Sequence, residues 1–580
     1  MTRKSTFALL GAGLVGLGLY GFRRKLFARL LGLKQAGFPV VLEKQIAIPM
    51  RDGVRLAADH YAPQGKHLFP TILIRTPYGR GISVGLVGEL STFIAQRFAE
   101  RGYNVLVQDV RGRFSSEGEF EPYVNEANDG LDTLEWIERQ PWYNGKLGMW
   151  GQSYVGYVQW ALALQAPGRV QALMPSVTGT NIPNAGLRDG VLGFDTLLRW
   201  VFELDAMDRQ GAFSHLSGLA QLSPQLSDRK LERAFSHLPL IEADQQAVGR
   251  TVPFYRKWLS HFNGEDPYWQ AIDLHSRLPE ITASVHLTGG WYDIFLRETV
   301  ADYLSLQRLE RSPYLTIGPW RHVDLEVATE TLREGLIWFD AHLKGDFSRL
   351  RKAPVSIYIM QVGSYGPGEW REMESWPPAT RPVELHLQDH GRLERSPAGE
   401  YSQPSRYIYD PADPTPVVGG SLMNWHAGPR DNRRLEARPD VLTYTTSPLG
   451  EDLEVIGAPR LRLYVKTSHP YVDLIGRLCV VSPTGESLNL CDGFLRLKPG
   501  DGDPQPDGSL RLEIELWPTA NRFLKGTAIR LQISSGAFPR WNRNLGSGEP
   551  IATGTRLVPC EVTIFQDARH PSTLTLPVSA

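Results

Sequence analysis

Between residues 70 and 177 short apolar runs alternate with longer stretches whose apolar residues recur at helical spacing. Pro70–Arg75, Asn104–Asp109 and Val170–Val177 predict strands, as does the short run through Met149. Thr92–Glu100 and Asn125–Gln140 predict helices, the second with Leu131, Leu134, Trp136 and Ile137 on one stripe. Continuous apolar strands alternating with helices imply a mostly parallel sheet covered on both faces. From Thr180 to Ala283 the rhythm stops, and Leu, Phe, Trp, His and charged residues follow helical spacing. That stretch predicts a helical insertion capping the sheet edge. Strand runs resume at Ser284–Gly289 and Tyr314–Gly318. From about Val383 onward apolar and polar residues alternate in short runs such as Leu461–Val465 and Leu510–Leu516, separated by turns rich in Pro and Gly. Period-two alternation with frequent turns predicts a β-sandwich. The expected layout is a leader (1–36), an α/β core (40–179 and 284–375), a helical cap (180–283) and a β domain (380–580).

The chemistry centres on Gly151-Gln152-Ser153-Tyr154-Val155-Gly156, entered from Gly148-Met149-Trp150 and followed by the apolar segment Tyr157–Leu164. A serine on a sharp strand-to-helix turn is presented at the carboxyl edge of a sheet, where a substrate can reach it. The flanking glycines suit a turn with no room for side chains. Two later strands also end in polar turns, Gly289-Gly290-Trp291-Tyr292-Asp293 and Gly318-Pro319-Trp320-Arg321-His322. Ligands of open α/β sheets bind beyond the carboxyl ends of strands. The order Ser153, Asp293, His322 is that of an α/β-hydrolase triad. A serine hydroxyl is a weak nucleophile at neutral pH; a histidine takes its proton, and an aspartate fixes the imidazole tautomer. Taken singly, Ser153 and Asp293 also read as helix caps and His322 as a partner for a helix end. The other histidines fit the role less well: His286 lies inside a strand, His342 on an apolar helix, and His215, His237, His261 and His275 in the cap.

Composition narrows the picture only a little. The 580 residues exceed one core, so several domains are expected. A formal net charge of −1 and the absence of a basic tract in the body give no footprint for nucleic acid. Cys479, Cys491 and Cys560 form neither a metal pattern nor a disulfide framework; a Cys479–Cys491 bridge and reduced core thiols are both compatible with their positions. No metal or organic cofactor is implied. Near the amino terminus, Arg3 and Lys4 precede the uncharged stretch Ser5–Phe22, and Arg23, Arg24, Lys25, Arg29 and Lys34 follow it. This reads as an uncleaved single membrane anchor with the body on the cytoplasmic side, a cleaved export signal being the alternative. Gly11-Ala12-Gly13-Leu14-Val15-Gly16 matches a dinucleotide fingerprint, but the first acidic residue is Glu43, too late for the ribose. Gly18 and Gly21 extend a small-residue spacing that suits a packed membrane helix.

These residues carry a family resemblance. The pattern Gly151-Gln152-Ser153-Tyr154-Val155-Gly156 resembles the nucleophile motif of the cocaine-esterase and Xaa-Pro dipeptidyl-peptidase group of serine hydrolases, with Val155 where a plain G-x-S-x-G motif has glycine. Arg75–Arg80, Gln108–Gly118, Gly290–Asp293 and Gly318–His322 are similar to further stretches of that group, and Leu516–Asn521 and Ile533–Arg540 resemble its carboxyl-terminal domain. The resemblance covers residues 40 to 570. It implies an α/β-hydrolase core with an inserted helical cap and a jelly-roll β domain, with Ser153, Asp293 and His322 as the triad. It further implies an oxyanion hole of the Tyr78 hydroxyl and the Tyr154 backbone N–H. Tyr78 also reads as a turn-packing residue after Pro77. Arg111, Arg113 and Glu117 read as a structural loop bracing the nucleophile turn.

The expected activity is hydrolysis of a small-molecule ester or amide through an acyl-enzyme. Ile294, Phe295 and Leu296 after Asp293 are apolar, which favours an apolar acyl group. The cap acids Glu203, Asp205 and Asp208 keep an Xaa-Pro dipeptidyl peptidase, which must grip a free amine, as the alternative. A catalytically inactive binding protein and a membrane-tethered scaffold acting through its β domain are the readings from other classes. Oligomeric state is not legible.

Overall fold

A computed structural model of the chain describes residues 28–29, 31–81, 85–182, 186–188, 190–209, 224–262, 266–363 and 366–579. The anchor expected over Ser5–Phe22 and the glycine motif within it lie outside the described residues. Among the described residues, no helix is long and apolar enough to cross a membrane. The chain divides into two units. One comprises Met1–Pro175, Glu280–Val285 and Leu325–Leu350; the other comprises Ser176–Pro279, His286–Asp324 and Arg351–Ala580.

The first unit is built on β1 (Val40–Pro49), β2 (Arg55–Pro63), β3 (Thr71–Thr76), β4 (Asn104–Asp109), β5 (Leu147–Gln152) and β6 (Ala172–Ser176), in spatial order β1-β2-β4-β3-β5-β6. β3 pairs in parallel with β4 and β5, and every residue of β3 and β4 is buried, which is why these strands read as unbroken runs. β1 and β2 join antiparallel at the edge. Neither announces itself in sequence: β1 is largely exposed, and β2 buries Asp59 and His60 among its apolar residues.

Four helices of this unit pack on opposite faces of the strands. A Cβ on Gly148 of β5 would meet Phe339 and Leu343 of α6 (Leu325–Lys344), and the Trp150 indole donates to the Thr331 carbonyl at 3.1 Å. Phe98 of α1 (Gly85–Ala99) meets the same Trp150 and Phe339 rings. Arg75 of β3 has the opposite parity, since Ile72 pairs with Gly148. Its guanidinium faces α2 (Glu126–Glu138), where a Cβ on Gly130 would meet Arg75 Nη1 and Leu162 of α3 (Tyr154–Gln165).

In the second unit β7 (Ser284–Tyr292), β8 (Tyr314–Arg321) and β9 (Val355–Ile359) pair in parallel in that order, and β10 (Glu369–Met373) closes the edge antiparallel. The helical insertion contains α4 (Phe194–Asp208) and helices at Pro224–Ser236, Ala243–Val248 and Pro253–Ser260. It also holds a two-residue hairpin, Leu187–Arg188 against Val191–Leu192, too short to leave a period in the sequence. The strands between Thr380 and Ser579 form a fourteen-stranded, mainly antiparallel array. β11 (Arg460–Thr467) alternates buried and exposed positions as its pattern predicts. β12 (Val472–Val481) is a central strand paired on both edges, with β13 (Ser487–Leu497) and β14 (Ala528–Ser534), and nine of its ten residues are buried. The three cysteines are free and buried.

Candidate active site

Ser153 stands between the end of β5 and the first residue of α3, with φ 57° and ψ −124°. Such a conformation costs a non-glycine residue about 1–3 kcal/mol and persists only where the surroundings enforce it. The enforcement is visible one turn on. A Cβ on Gly151 would lie 2.1 Å from Val155 Cγ1, so the strand can run this close to the helix only as glycine. The Ser153 hydroxyl makes no capping hydrogen bond to α3, which removes the helix-cap reading of this residue. The Tyr154 amide belongs to the first residue of α3 and lies at the positive end of the helix dipole.

The Tyr154 side chain plays a different part from its amide. Its hydroxyl donates to Glu126 Oε1 at 2.7 Å and accepts from the Tyr123 amide at 2.9 Å, and its ring stacks on Tyr123 with centroids 4.6 Å apart. Glu126 is held in turn by Arg75 Nη1, 2.9 Å from Oε2, and Arg75 is fully buried. Burial pushes the Glu126 carboxyl up, against the opposing pull of Arg75 and the Tyr154 hydroxyl. This polar network lies beneath the serine turn. Sequence reasoning missed it, because Glu126 reads as an ordinary first-turn acid of α2.

Tyr78 follows β3 and is half-buried; its amide donates to Thr76 Oγ1 at 3.1 Å. The Tyr78 and Tyr123 phenols are within electrostatic range of each other, which joins the tyrosine turn to the surroundings of Tyr154. Arg113 Nε donates to the Pro77 carbonyl at 2.9 Å, and Arg80 binds Asp109 Oδ2 at 2.9 Å, Gln45 Oε1 at 3.0 Å and Asp59 Oδ1. The expectation that Arg111, Arg113 and Glu117 brace the nucleophile turn is therefore corrected. Arg111 pairs with Asp129 and Asp52, Glu117 pairs with Arg55, and Arg113 braces the Tyr78 turn. Sequence spacing cannot tell which of two adjacent turns a long arginine reaches.

In the second unit the carboxyl ends of β7 and β8 pair at Gly290–Gly318 and again at Tyr292–Arg321, with an irregularity between. Adjacent parallel strands lie about 4.8 Å apart, so the residues just beyond these ends are neighbours. His322 Nδ1 and Asp293 Oδ1 are 2.6 Å apart, with Asp293 fully buried and the His322 side chain 9% exposed. A Cβ on Gly290 would lie 2.3 Å from the Trp320 carbonyl, so glycine is needed for the two ends to approach. Asp293 Oδ2 accepts from the Phe295 amide at 3.1 Å in the turn ahead of α5 (Leu296–Arg308), so one carboxylate holds that turn and orients the imidazole. The Phe295 ring lies beside His322, centroids 5.6 Å apart. Arg321 is held by Asp324 and lies over the Trp425 ring at 5.5 Å. Trp425 is half-exposed, and no local signal marked it.

The three cap acids separate. Asp205 pairs with Arg209 and Arg250, and Asp208 is exposed. Glu203 is half-buried on α4 without a hydrogen bond or ion pair among the described residues. Burial pushes its carboxyl up to about 7, while Arg199 and His322, within electrostatic range, pull it down.

The X-Pro dipeptidyl-peptidase (S15 family) model matches residues 52–324, and the model of the X-Pro dipeptidyl-peptidase C-terminal non-catalytic domain matches residues 350–575. The cocaine esterase of Rhodococcus sp. (strain MB1 Bresler) is 33% identical over 576 residues, 92% of this chain and 98% of that protein. The chain belongs to the cocaine-esterase and X-Pro dipeptidyl-peptidase family. It is a serine hydrolase with an α/β-hydrolase core and a carboxyl-terminal domain of β-sandwich type.

Solved structures share this fold. An α-amino acid ester hydrolase is 22% identical with a TM-score of 0.75, covering 93% of this chain and 97% of that one. An aminopeptidase from the marine sediment archaeon Thaumarchaeota archaeon is 21% identical with a TM-score of 0.74, covering 94% and 97%. Membership of the family leaves open what is cleaved, since matching relatives include esterases and a peptidase.

Proposed function

We propose that the protein hydrolyses esters of apolar carboxylic acids through an acyl-enzyme on Ser153. The observation that carries this reading is the 2.6 Å bond between buried Asp293 and His322 at the ends of paired strands. A buried carboxylate on Nδ1 directs the basic Nε2 of the imidazole outward. In the proposed reaction His322 Nε2 takes the Ser153 proton as Oγ attacks the ester carbonyl. The imidazolium, stabilised by Asp293, then returns the proton to the departing alcohol. The Tyr78 hydroxyl and the Tyr154 N–H donate to the developing oxyanion, and the positive end of α3 adds to them. Water repeats the sequence and releases the acid. The apolar preference is supported by Phe295 beside His322 and by the cocaine esterase relative.

Glu203 favours one other reading. A half-buried carboxyl in range of His322, with no ion pair among the described residues, suits a substrate ammonium group, as an Xaa-Pro dipeptidyl peptidase requires. A panel of p-nitrophenyl acyl esters run against Xaa-Pro p-nitroanilides separates the two. The esters are expected to turn over faster, with Ser153→Ala inactive and Tyr78→Phe lowering kcat on the order of 10²–10³ at little change in KM. Faster turnover of the anilides would replace the esterase reading with the peptidase one.

A further inference from the structure

A second hydroxyl in the molecule sits in a chain of polar contacts of the kind that activates a nucleophile. Asp302, Ser305 and Arg308 are spaced three apart on α5 and therefore share one face of the helix. His275, from the short helix His275–Glu280, docks across that face. Its Nδ1 lies 3.0 Å from Asp302 Oδ1, and its Nε2 lies 3.3 Å from Ser305 Oγ. Arg308 Nη2 donates to Ser305 Oγ at 3.0 Å. Asp302 is buried and accepts further from the Thr180 amide at 2.9 Å and the Thr180 hydroxyl at 2.5 Å. Burial raises the Asp302 carboxyl, against the pull of His275 and the two Thr180 donors; its contact at Nδ1 holds an imidazole proton on that side and leaves Nε2 toward the serine. The row reads carboxylate, imidazole, hydroxyl, guanidinium, with each contact polarising the next.

The site is open to reagents. The His275 side chain is 33% exposed, Ser305 is half-buried and Arg308 is exposed. We propose that Ser305 is a second nucleophile of this protein, accepting an acyl or phosphonyl group from activated donors once per molecule. In the step, the Ser305 O–H bond breaks and His275 Nε2 takes the proton. A bond forms from Oγ to the carbonyl carbon or phosphorus, and the aryl alcohol or fluoride leaves with the proton. Arg308 offsets the negative charge that builds at the hydroxyl and the acceptor oxygen. Ser305 lies inside a helix, where backbone N–H groups are spent on the helix ladder, so no amide oxyanion hole assists it. It therefore reacts slowly and does not turn over.

The charged groups facing His275 are Asp302 and Arg308 from α5 and Asp273 from its own segment. The Asp302 hydrogen bond dominates and raises the imidazole above its usual range, with Arg308 opposing. The reaction is accordingly expected to quicken as pH rises through and above neutrality.

The test uses Ser153→Ala protein, an alkyl fluorophosphonate and mass mapping of the modified peptide. An adduct on Ser305 is expected, forming on the order of 10²–10³ more slowly than the Ser153 adduct of the parent chain for want of an oxyanion hole. Its rate is expected to rise with pH and to fall about tenfold or more in the His275→Gln background. No adduct on Ser305, or one indifferent to both pH and His275→Gln, overturns the proposal. If His275→Gln does not fold, the pH dependence in folded Ser153→Ala decides. The inference is independent of the triad reading: an adduct on Ser305 with none on Ser153 in the parent chain would uphold this one and sink that one.

Discussion

Individual residues in this protein are tuned more by what surrounds them than by what they are. Glu203 illustrates it. Of three neighbouring acids it is the one that combines burial, no ion pair among the described residues and electrostatic range of His322. Ionised, it would hold a substrate cation beside His322. Glu203→Gln is therefore expected to lower kcat/KM for substrates carrying a free amine by about tenfold and to leave neutral esters unchanged. Equal effects on the two substrate classes would mean that Glu203 does not meet the bound substrate. Which acid faces the histidine was not legible in Glu203, Asp205 and Asp208 as written, since one turn of helix separates a carboxylate over the site from one in a surface ion pair.

At the scale of elements, turns carry the chemistry. Between β5 and α3 the close approach of Gly151 to Val155 holds Ser153 at positive φ. Gly151→Ala would force that contact apart. It is expected to cost about 1–3 kcal/mol of stability in urea unfolding and to lower kcat by displacing the serine. Unchanged stability and kcat would show that the turn is not held by this contact. The strands β3 to β8 were readable because each holds at least four consecutive buried residues. β1 and β2 were not: β1 is largely exposed, and β2, though buried, carries Asp59 and His60 within its run. The same limit hid the Arg113–Pro77 bond: a turn is legible where its own residues dictate it, and not where a distant side chain supports it.

At the scale of the molecule, the alternating pattern sets in near Val383, whereas contacts group the helical insertion and the strands of His286–Asp324 with everything from Arg351 onward. Contributions to global stability likewise gather at points the sequence leaves ordinary. Burial raises Asp109 to about 7 despite its bond to Arg80, and its Oδ1 has no hydrogen-bond partner among the described residues. The native state then holds a proton that the unfolded chain releases near pH 4, so this group subtracts stability as pH rises from about 4 to about 7 and no further above that. Asp109→Asn lacks this term. Its Tm relative to the parent is expected to climb across that window in thermal melts and to level off beyond it; a flat difference would count against the buried, proton-holding carboxyl.

What the chain determined by itself is local. Apolar runs of strand length, helical periods, the glycine-flanked serine and the order of Ser153, Asp293 and His322 all follow from near-neighbour spacing and turn chemistry. The tertiary structure decided which polar groups meet. Asp293 reaches His322 because β7 and β8 lie side by side, Arg113 reaches Pro77, and His275 crosses the Asp302–Ser305–Arg308 face. Contacts between residues tens of positions apart depend on strand order and helix docking, which burial of the whole core selects and no short window of sequence records.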